Sequence, residues 1–280
     1  MLMKFCLCAS TDAAPQEPVL YRKDYAGLFD YAKELGVEGV EIHLRSAIDV
    51  DAEALKRDSE HTGVALAAIA TGLAKRIDGL DLTDSNEACR KKAIDRVKAH
   101  IELANRFGCR IIIGSMRGNI RSPDQDRQTR ERLGGSMCEL AECLKTKNCS
   151  IVFEAINRYE NNYLNTAAET VEFVKTLGSP QISVLLDTFH MNIEEQNMAD
   201  AIRATGAYLG HIHIADNNRL YPGNGSIDFS AVFRALRDIR YSGWVSLEYL
   251  PGADEKTAAS RGLRYVRSLW NCLQKDPLRR

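Results

Sequence analysis

The chain lacks a surplus of charge of either sign: 37 lysines and arginines face 38 aspartates and glutamates, a formal net charge of −1. That balance offers no general attraction for a phosphate backbone, and no basic run longer than a few residues precedes the C-terminal Arg279 and Arg280. Nucleic acid is therefore not an expected partner. Long apolar runs are also missing. The opening MLMKFCLCAS holds a patch too short for a signal-peptide core, and no stretch approaches membrane-spanning length. A soluble cytoplasmic protein with no membrane partner is expected. Cysteine pairs at metal-binding spacing are absent too. The eight cysteines, at positions 6, 8, 89, 109, 138, 143, 149 and 272, are scattered through strand-like and helix-like segments and read as buried free thiols. No linker, low-complexity tract or internal repeat divides the chain, and no Gly-x-Gly-x-x-Gly turn follows the first strand-like run.

What is present is a 280-residue chain with 45% apolar residues, enough to bury one large core. Short apolar runs alternate with segments of helical spacing. Strands are expected at Met3 to Cys8, Gly39 to Leu44, Val64 to Ala70, Arg110 to Gly114, Ser150 to Ala155, Val184 to Asp187, Tyr208 to Ile214 and Trp244 to Tyr249. Helices are expected near residues 24–35, 52–61, 85–107, 124–147, 166–177, 198–205, 229–239 and 254–273, several of them closed by glycine, as at Gly36, Gly63, Gly108 and Gly178. A polar loop holding Asp78, Gly79 and Asp81 follows the third strand. Strict alternation with right-handed crossovers allows a closed barrel or a doubly wound open sheet. Eight units favour the barrel. The expected fold class is α/β, a single (β/α)8 TIM barrel forming one domain over residues 1–280.

In such a barrel the chemistry sits at the C-terminal strand ends. Four polar residues occupy them on consecutive strands: Glu154 ends IVFE, Asp187 ends VLLD, His213 sits in HIHIAD and Glu248 in VSLE, at separations of 33, 26 and 35 residues. An unpaired carboxylate at the rim of a core is costly unless a cation or donor meets it. Each residue taken singly has the alternative of an ordinary strand-end polar group paired with a helix. Three carboxylates and one imidazole make a hard, oxygen-rich donor set suited to one divalent ion, Mn²⁺ first, with Mg²⁺ or Co²⁺ as substitutes. His43 ends strand two beside Glu41 and reads as a hydrogen-bonded core histidine, with a pocket position as the alternative. His61 and His100 fall in helical patterns and are expected to face solvent, and Trp244 and Trp270 to be structural.

The segments Glu154-x-x-Asn157-Arg158-Tyr159-Glu160, Leu186-Asp187-Thr188-Phe189-His190-Met191-Asn192-Ile193-Glu194-Glu195, and His211-x-His213 followed by Asn218-Arg219-x-x-Pro222-Gly223 resemble the xylose-isomerase-like barrel enzymes that isomerise or epimerise sugars, in particular their ketose 3-epimerase branch. The resemblance spans nearly the whole chain. Within the branch, Thr71-Gly72, Asp78-Gly79-Leu80, Arg90 to Ile94, Ile112-Ile113-Gly114 and Arg117-Gly118 look most like 5-keto-L-gluconate 3-epimerases.

The resemblance implies an isomerase of carbohydrates, inverting C3 of a ketose or keto-aldonate through an enediolate. Glu154, Asp187, His213 and Glu248 would hold the metal, Glu154 and Glu248 would also exchange protons with substrate, and Glu160, His190 and Arg219 would bind substrate oxygens. It further implies a homodimer or homotetramer. Arg117, placed just after strand four, could clamp a carboxylate from the mouth, and a sugar phosphate would fit with help from Lys75 or Arg76; a surface position is the alternative. Rival readings on the same metal site are an aldose-ketose isomerase and a keto-inositol dehydratase. An abasic-site endonuclease shares the barrel and an Asp-Thr-x-His segment, but the six histidines here leave the ends of strands three and four bare. A non-catalytic sugar-binding barrel is the remaining alternative.

Overall fold

The computed structural model describes residues 3–275; the outer ends of the expected 1–280 span, Arg279 and Arg280 among them, lie outside the described residues. Eight strands, β1 (Lys4–Ala9), β2 (Gly39–His43), β3 (Ala65–Ala70), β4 (Arg110–Ile113), β5 (Ser150–Glu154), β6 (Ile182–Asp187), β7 (Leu209–Ile214) and β8 (Trp244–Leu247), pair in sequence order. All neighbours run parallel, and β8 returns to β1 with Lys4 opposite Trp244 and Leu7 opposite Leu247, closing the barrel. Closure leaves no open edge, which decides against the doubly wound sheet.

The described helices are α1 (Leu28–Leu35), α2 (Ala52–Thr62), α3 (Gly72–Asp78), α4 (Glu87–Phe107), α5 (Asp126–Leu144), α6 (Ala167–Thr176), α7 (Thr188–Glu194), α8 (Met198–Thr205), α9 (Phe229–Asp238) and α10 (Glu255–Lys275). Their ends follow local chemistry. The Asn86 side chain accepts from the amides of Ala88 and Cys89 to start α4, and Gly108 at φ 63° ends it. No described helix is long and apolar enough to cross a membrane.

Two helices were not expected. The stretch read as a polar loop after β3 begins with α3, which buries Leu73 and Ala74 and stops at Gly79, φ 67°. Directly after β6, Asp187 doubles as the cap of α7, its Oδ1 accepting from Phe189 N at 2.9 Å.

Side chains alternate along each strand, and the barrel interior divides into two halves. Ala68, Ala70, Ile112, Val152 and Leu185, from β3 to β6, form a small apolar interior cluster, while Ile69, Ile111, Ile113, Phe153, Val184 and Leu186 point outward into the helix-packed core. The other half is polar. Cys6, Cys8, Glu41, His211, His213 and Ser246, from β1, β2, β7 and β8, are buried there. Cysteine burial is mixed: Cys6, Cys8, Cys109 and Cys149 are buried, Cys143 is half-buried, and Cys89, Cys138 and Cys272 are exposed, correcting the expectation that all are inside; all eight are free.

Candidate active site

Glu154 and Asp187 are the last residues of β5 and β6, His213 lies near the end of β7, and Glu248 directly follows β8. The parallel register lifts all four to one level. Each offers a donor atom within 4.8 Å of the others, and all are buried. Room for Glu154 depends on the residue that directly follows β4, because a Cβ at Gly114 would stand 2.5 Å from Glu154 Oε2.

The four groups do not share one protonation state. Burial, with repulsion from Glu248 and Asp187, pushes Glu154 up to about 8 despite the attraction of His213. Burial likewise pushes Asp187 up to about 6 against the pull of Arg219. Glu248 is equally enclosed, but His213 and Arg219 outweigh burial and hold it down to about 2. In the metal-free protein the two glutamates are thus pulled in opposite directions, Glu154 toward its protonated form and Glu248 toward its ionised one. His213 is held above the usual imidazole range: burial opposes the charge, but Glu248 and Glu41 dominate.

The donor set fits a divalent cation on its own terms. Asp187 spends Oδ1 on the α7 cap, and its buried Oδ2 has no hydrogen-bond partner. His213 spends Nε2 on Glu41 at 3.2 Å, and its buried Nδ1, also without a hydrogen-bond partner, faces Glu248 Oε2 at 3.2 Å and Glu154 Oε1 at 3.9 Å. A carboxylate behind a histidine ring is the usual support for a metal ligand. The charge deficit is presently met by Arg219, whose guanidinium reaches Glu248 Oε2 at 2.7 Å and Asp187 Oδ2 at 3.0 Å over the face of Phe189. Arg219 adopts φ 60°, a left-handed backbone costly for a side-chain-bearing residue. Asp216 supports the loop by accepting from the amides of Asn217, Gly223, Gly225 and Ile227.

A cavity of about 160 Å³ opens above this cluster, with Glu160, His190, Arg219, His43, Ser115 and Thr71 among its lining residues. His190 has a defined tautomer. Asn157 Oδ1 accepts from Tyr159 N at 2.9 Å, which fixes the amide so that Nδ2 donates to His190 Nδ1 at 2.6 Å. The ring proton then sits on Nε2, which points toward Glu154 and Asp187, 3.8 Å from each. Burial, with repulsion from Arg219, keeps this ring neutral, so it presents a donor to an oxygen in the cavity. A larger hollow of about 540 Å³ between α4 and α5 is lined by Glu87, Lys91, Glu131 and Arg132, among others, and contains none of the ligand clusters found among the described residues.

Arg117 is not at the mouth. The turn Ser115–Arg117, followed by Gly118 at φ 75°, directs the side chain inward, where it is fully buried. Its Nη1 donates to the backbone oxygens of Glu154 (2.8 Å) and Leu164 (3.1 Å), between the rings of Phe153 and Tyr163. The carboxylate clamp expected there is therefore corrected to a strut beneath Glu154. The other candidate cations are committed as well, Lys75 to Asp81 and Arg76 to Glu17, both at 2.7 Å. His43 combines both of its readings: it lines the cavity and sits 3.3 Å from Glu41 Oε1. His61 is exposed as expected, but His100 is fully buried, its Nδ1 donating to Arg96 O at 2.8 Å.

The residue that the sequence reading passed over is Glu41. Fully buried, it meets His211 Nε2 (3.0 Å), His213 Nε2 (3.2 Å), His43 Nε2 (3.3 Å) and Cys8 Sγ (3.4 Å). A signal existed. A glutamate inside GVEIH, on the same strand face as His43 two residues on, has to be paired in the interior, and the i, i+2 histidines of HIHI are its natural partners.

A family model described as xylose isomerase-like TIM barrel matches residues 29–269. An L-ribulose 3-epimerase of Mesorhizobium japonicum is 30% identical over 242 residues, 85% of this chain and 80% of that protein. A D-psicose 3-epimerase of Enterocloster bolteae is 50% identical over 112 residues, 39% of this chain and 37% of that relative, so the match spans little more than a third of its length. Among solved structures, a D-psicose 3-epimerase of Clostridium cellulolyticum with D-tagatose superposes with a TM-score of 0.81 at 25% identity, covering 94% of this chain and 99% of that one.

Proposed function

Since the chain belongs to the xylose isomerase-like TIM-barrel family and has ketose 3-epimerase homologues over most of its length, we propose that it is a divalent-metal-dependent ketose 3-epimerase. The observation that carries this reading is the convergence of donor atoms from Glu154, Asp187, His213 and Glu248 within 4.8 Å beneath the cavity. These four residues would hold the ion, Mn²⁺ first by donor chemistry, and it would supply a Lewis acid that offsets negative charge developing on the substrate's oxygens.

The chain's own groups account for the proton traffic. Inverting a carbon beside a ketone requires removal of its proton on one face of a plane and delivery on the other. Glu154 and Glu248 are the two carboxyl groups available for removal and delivery, with the roles exchanged in the reverse direction. His190 Nε2–H and the Arg219 guanidinium are the donors available to the oxygens near the reacting carbon, and Glu160, whose Oε1 accepts from Asn157 Nδ2 at 3.0 Å, is an acceptor for a hydroxyl. The keto-aldonate substrate of the 5-keto-L-gluconate type rests on the sequence resemblance alone. Its carboxylate would meet Ser115 along the cavity wall, not Arg117.

Proton NMR in D₂O tests the reaction. The Mn²⁺-loaded protein is incubated with free ketohexoses and keto-aldonates, and the metal is removed before each spectrum. Deuterium at C3 with appearance of the C3 epimer, lost in Glu154→Gln and Glu248→Gln, is the expected result. Label at C1 or C2 would instead identify an aldose-ketose isomerase, and C3 inversion by Glu248→Gln would refute the two-glutamate scheme.

A further inference from the structure

Beside the first cluster stands a second one of different chemistry. Cys8, Glu41, His43 and Glu248 each offer a donor atom within 4.8 Å of the others, and three of the four are buried. We propose that these residues form a second metal site that takes a thiophilic divalent cation such as Zn²⁺, with Glu248 bridging it to the first. The second site is independent of which sugar the mouth accepts.

Two of the three distances within the cluster match the edges of a coordination tetrahedron, and the third is slightly longer. Zinc bonds of about 2.3 Å to sulfur and about 2.0–2.2 Å to nitrogen or oxygen place neighbouring ligands roughly 3.3–3.7 Å apart. His43 Nε2 lies 3.3 Å from Glu41 Oε1 and Cys8 Sγ lies 3.4 Å from the same atom, while His43 Nε2 is 3.9 Å from Glu248 Oε1. The His43 to Glu41 separation is longer than the roughly 2.9–3.0 Å of an ordinary N–H···O hydrogen bond. One thiol, one imidazole and two carboxylates also make a softer donor set than the neighbouring three carboxylates and one imidazole, and it suits zinc.

The two sites do not compete for the same atoms. Glu248 directs Oε1 to His43 and Oε2 to His213 Nδ1 and Arg219. Glu41 directs Oε1 to Cys8 and His43 and Oε2 to His211, and each of the two oxygens lies 3.2 Å from His213 Nε2. Each carboxylate thus has one oxygen for the second site while the other keeps its present partner. Ser246 Oγ, 3.1 Å from Cys8 Sγ, is a donor that could support a thiolate. Binding would release the Cys8 proton to solvent as the S–metal bond forms.

Titration of the metal-stripped full-length protein with Co²⁺ tests the site. The expected result is two equivalents per chain, the second developing a near-ultraviolet thiolate-to-cobalt charge-transfer band. Cys8→Ser should lose both the band and the second equivalent while keeping the first, and Cys6→Ser and Cys89→Ser should keep all three signals. Saturation at one equivalent, or a band that survives Cys8→Ser, would overturn the proposal. Should Cys8→Ser fail to fold, zinc X-ray absorption of the unaltered protein at two equivalents decides: sulfur at about 2.3 Å supports the site, and a shell of only nitrogen and oxygen refutes it.

Discussion

Glu41 lies 3.2 Å from His213 Nε2 in the sealed interior of the barrel, and this contact leaves Nδ1 of the ring pointing into the carboxylate cluster. The glutamate is held below the usual carboxylate range. Burial opposes its charge, but His213, His211 and His43 together prevail. Glu41→Gln should preserve the shape and remove the charge behind the ring. The expected outcome is a loss of about 10–100-fold in affinity for the first Mn²⁺ equivalent, read by isothermal titration calorimetry. An unchanged constant would mean that Glu41 does not position His213.

Metal binding should release protons. At pH 7 the metal-free protein retains a proton on Glu154, raised to about 8, and one on His213, raised above the imidazole range, and both sites must lose their protons to act as ligands. Affinity for Mn²⁺ should therefore rise with pH through neutrality and begin to flatten above about 8. Calorimetry in buffers of different ionisation enthalpy measures the count directly. A pH-independent affinity between pH 6 and 8, with no proton released, would contradict the assignment.

Arg117 gives a prediction that separates strut from clamp. Arg117→Met removes two charge-assisted bonds to the carbonyls of Glu154 and Leu164 and should destabilise the fold by about 3 kcal/mol, read by urea denaturation. The ratio of kcat/KM for a keto-aldonate over a neutral ketose should stay the same. A selective loss of the keto-aldonate would restore the clamp.

His100 should make the protein acid-sensitive. Burial holds its ring down to about 4, against an ordinary value of 6.5, with Nε2 unpartnered. As pH falls below about 6.5 the unfolded chain binds a proton that the folded protein excludes, so stability is lost progressively until about pH 4. The total is on the order of 3 kcal/mol. The pH dependence of unfolding free energy in His100→Asn should lack this component; identical slopes in the two proteins would show that the ring is not held neutral.

Much of the site was legible because strand chemistry is local. An apolar run closed by an acid, repeated at barrel spacing, located Glu154, Asp187 and Glu248, and HIHI located His213. The same locality explains the failures. Arg117 follows β4 as read, yet its direction is set by a single turn and the φ of Gly118. His100 lies on a helix whose charged pattern suggested solvent, but its face is covered by neighbouring elements. The helix α7 was hidden because Asp187 serves as strand end, cap and candidate ligand at once.

Periodicity and backbone preference over a few residues are enough to set the alternation of strands and helices, the glycine stops and the residue types at the strand ends. Which of those residues meet depends on how the barrel closes. Closure of β8 onto β1 brings Cys8, Glu41 and His43 from the start of the chain against His211, His213 and Glu248 from its end. Burial then sets their charges, because a carboxylate removed from water takes its protonation state from the groups around it, not from its place in the chain.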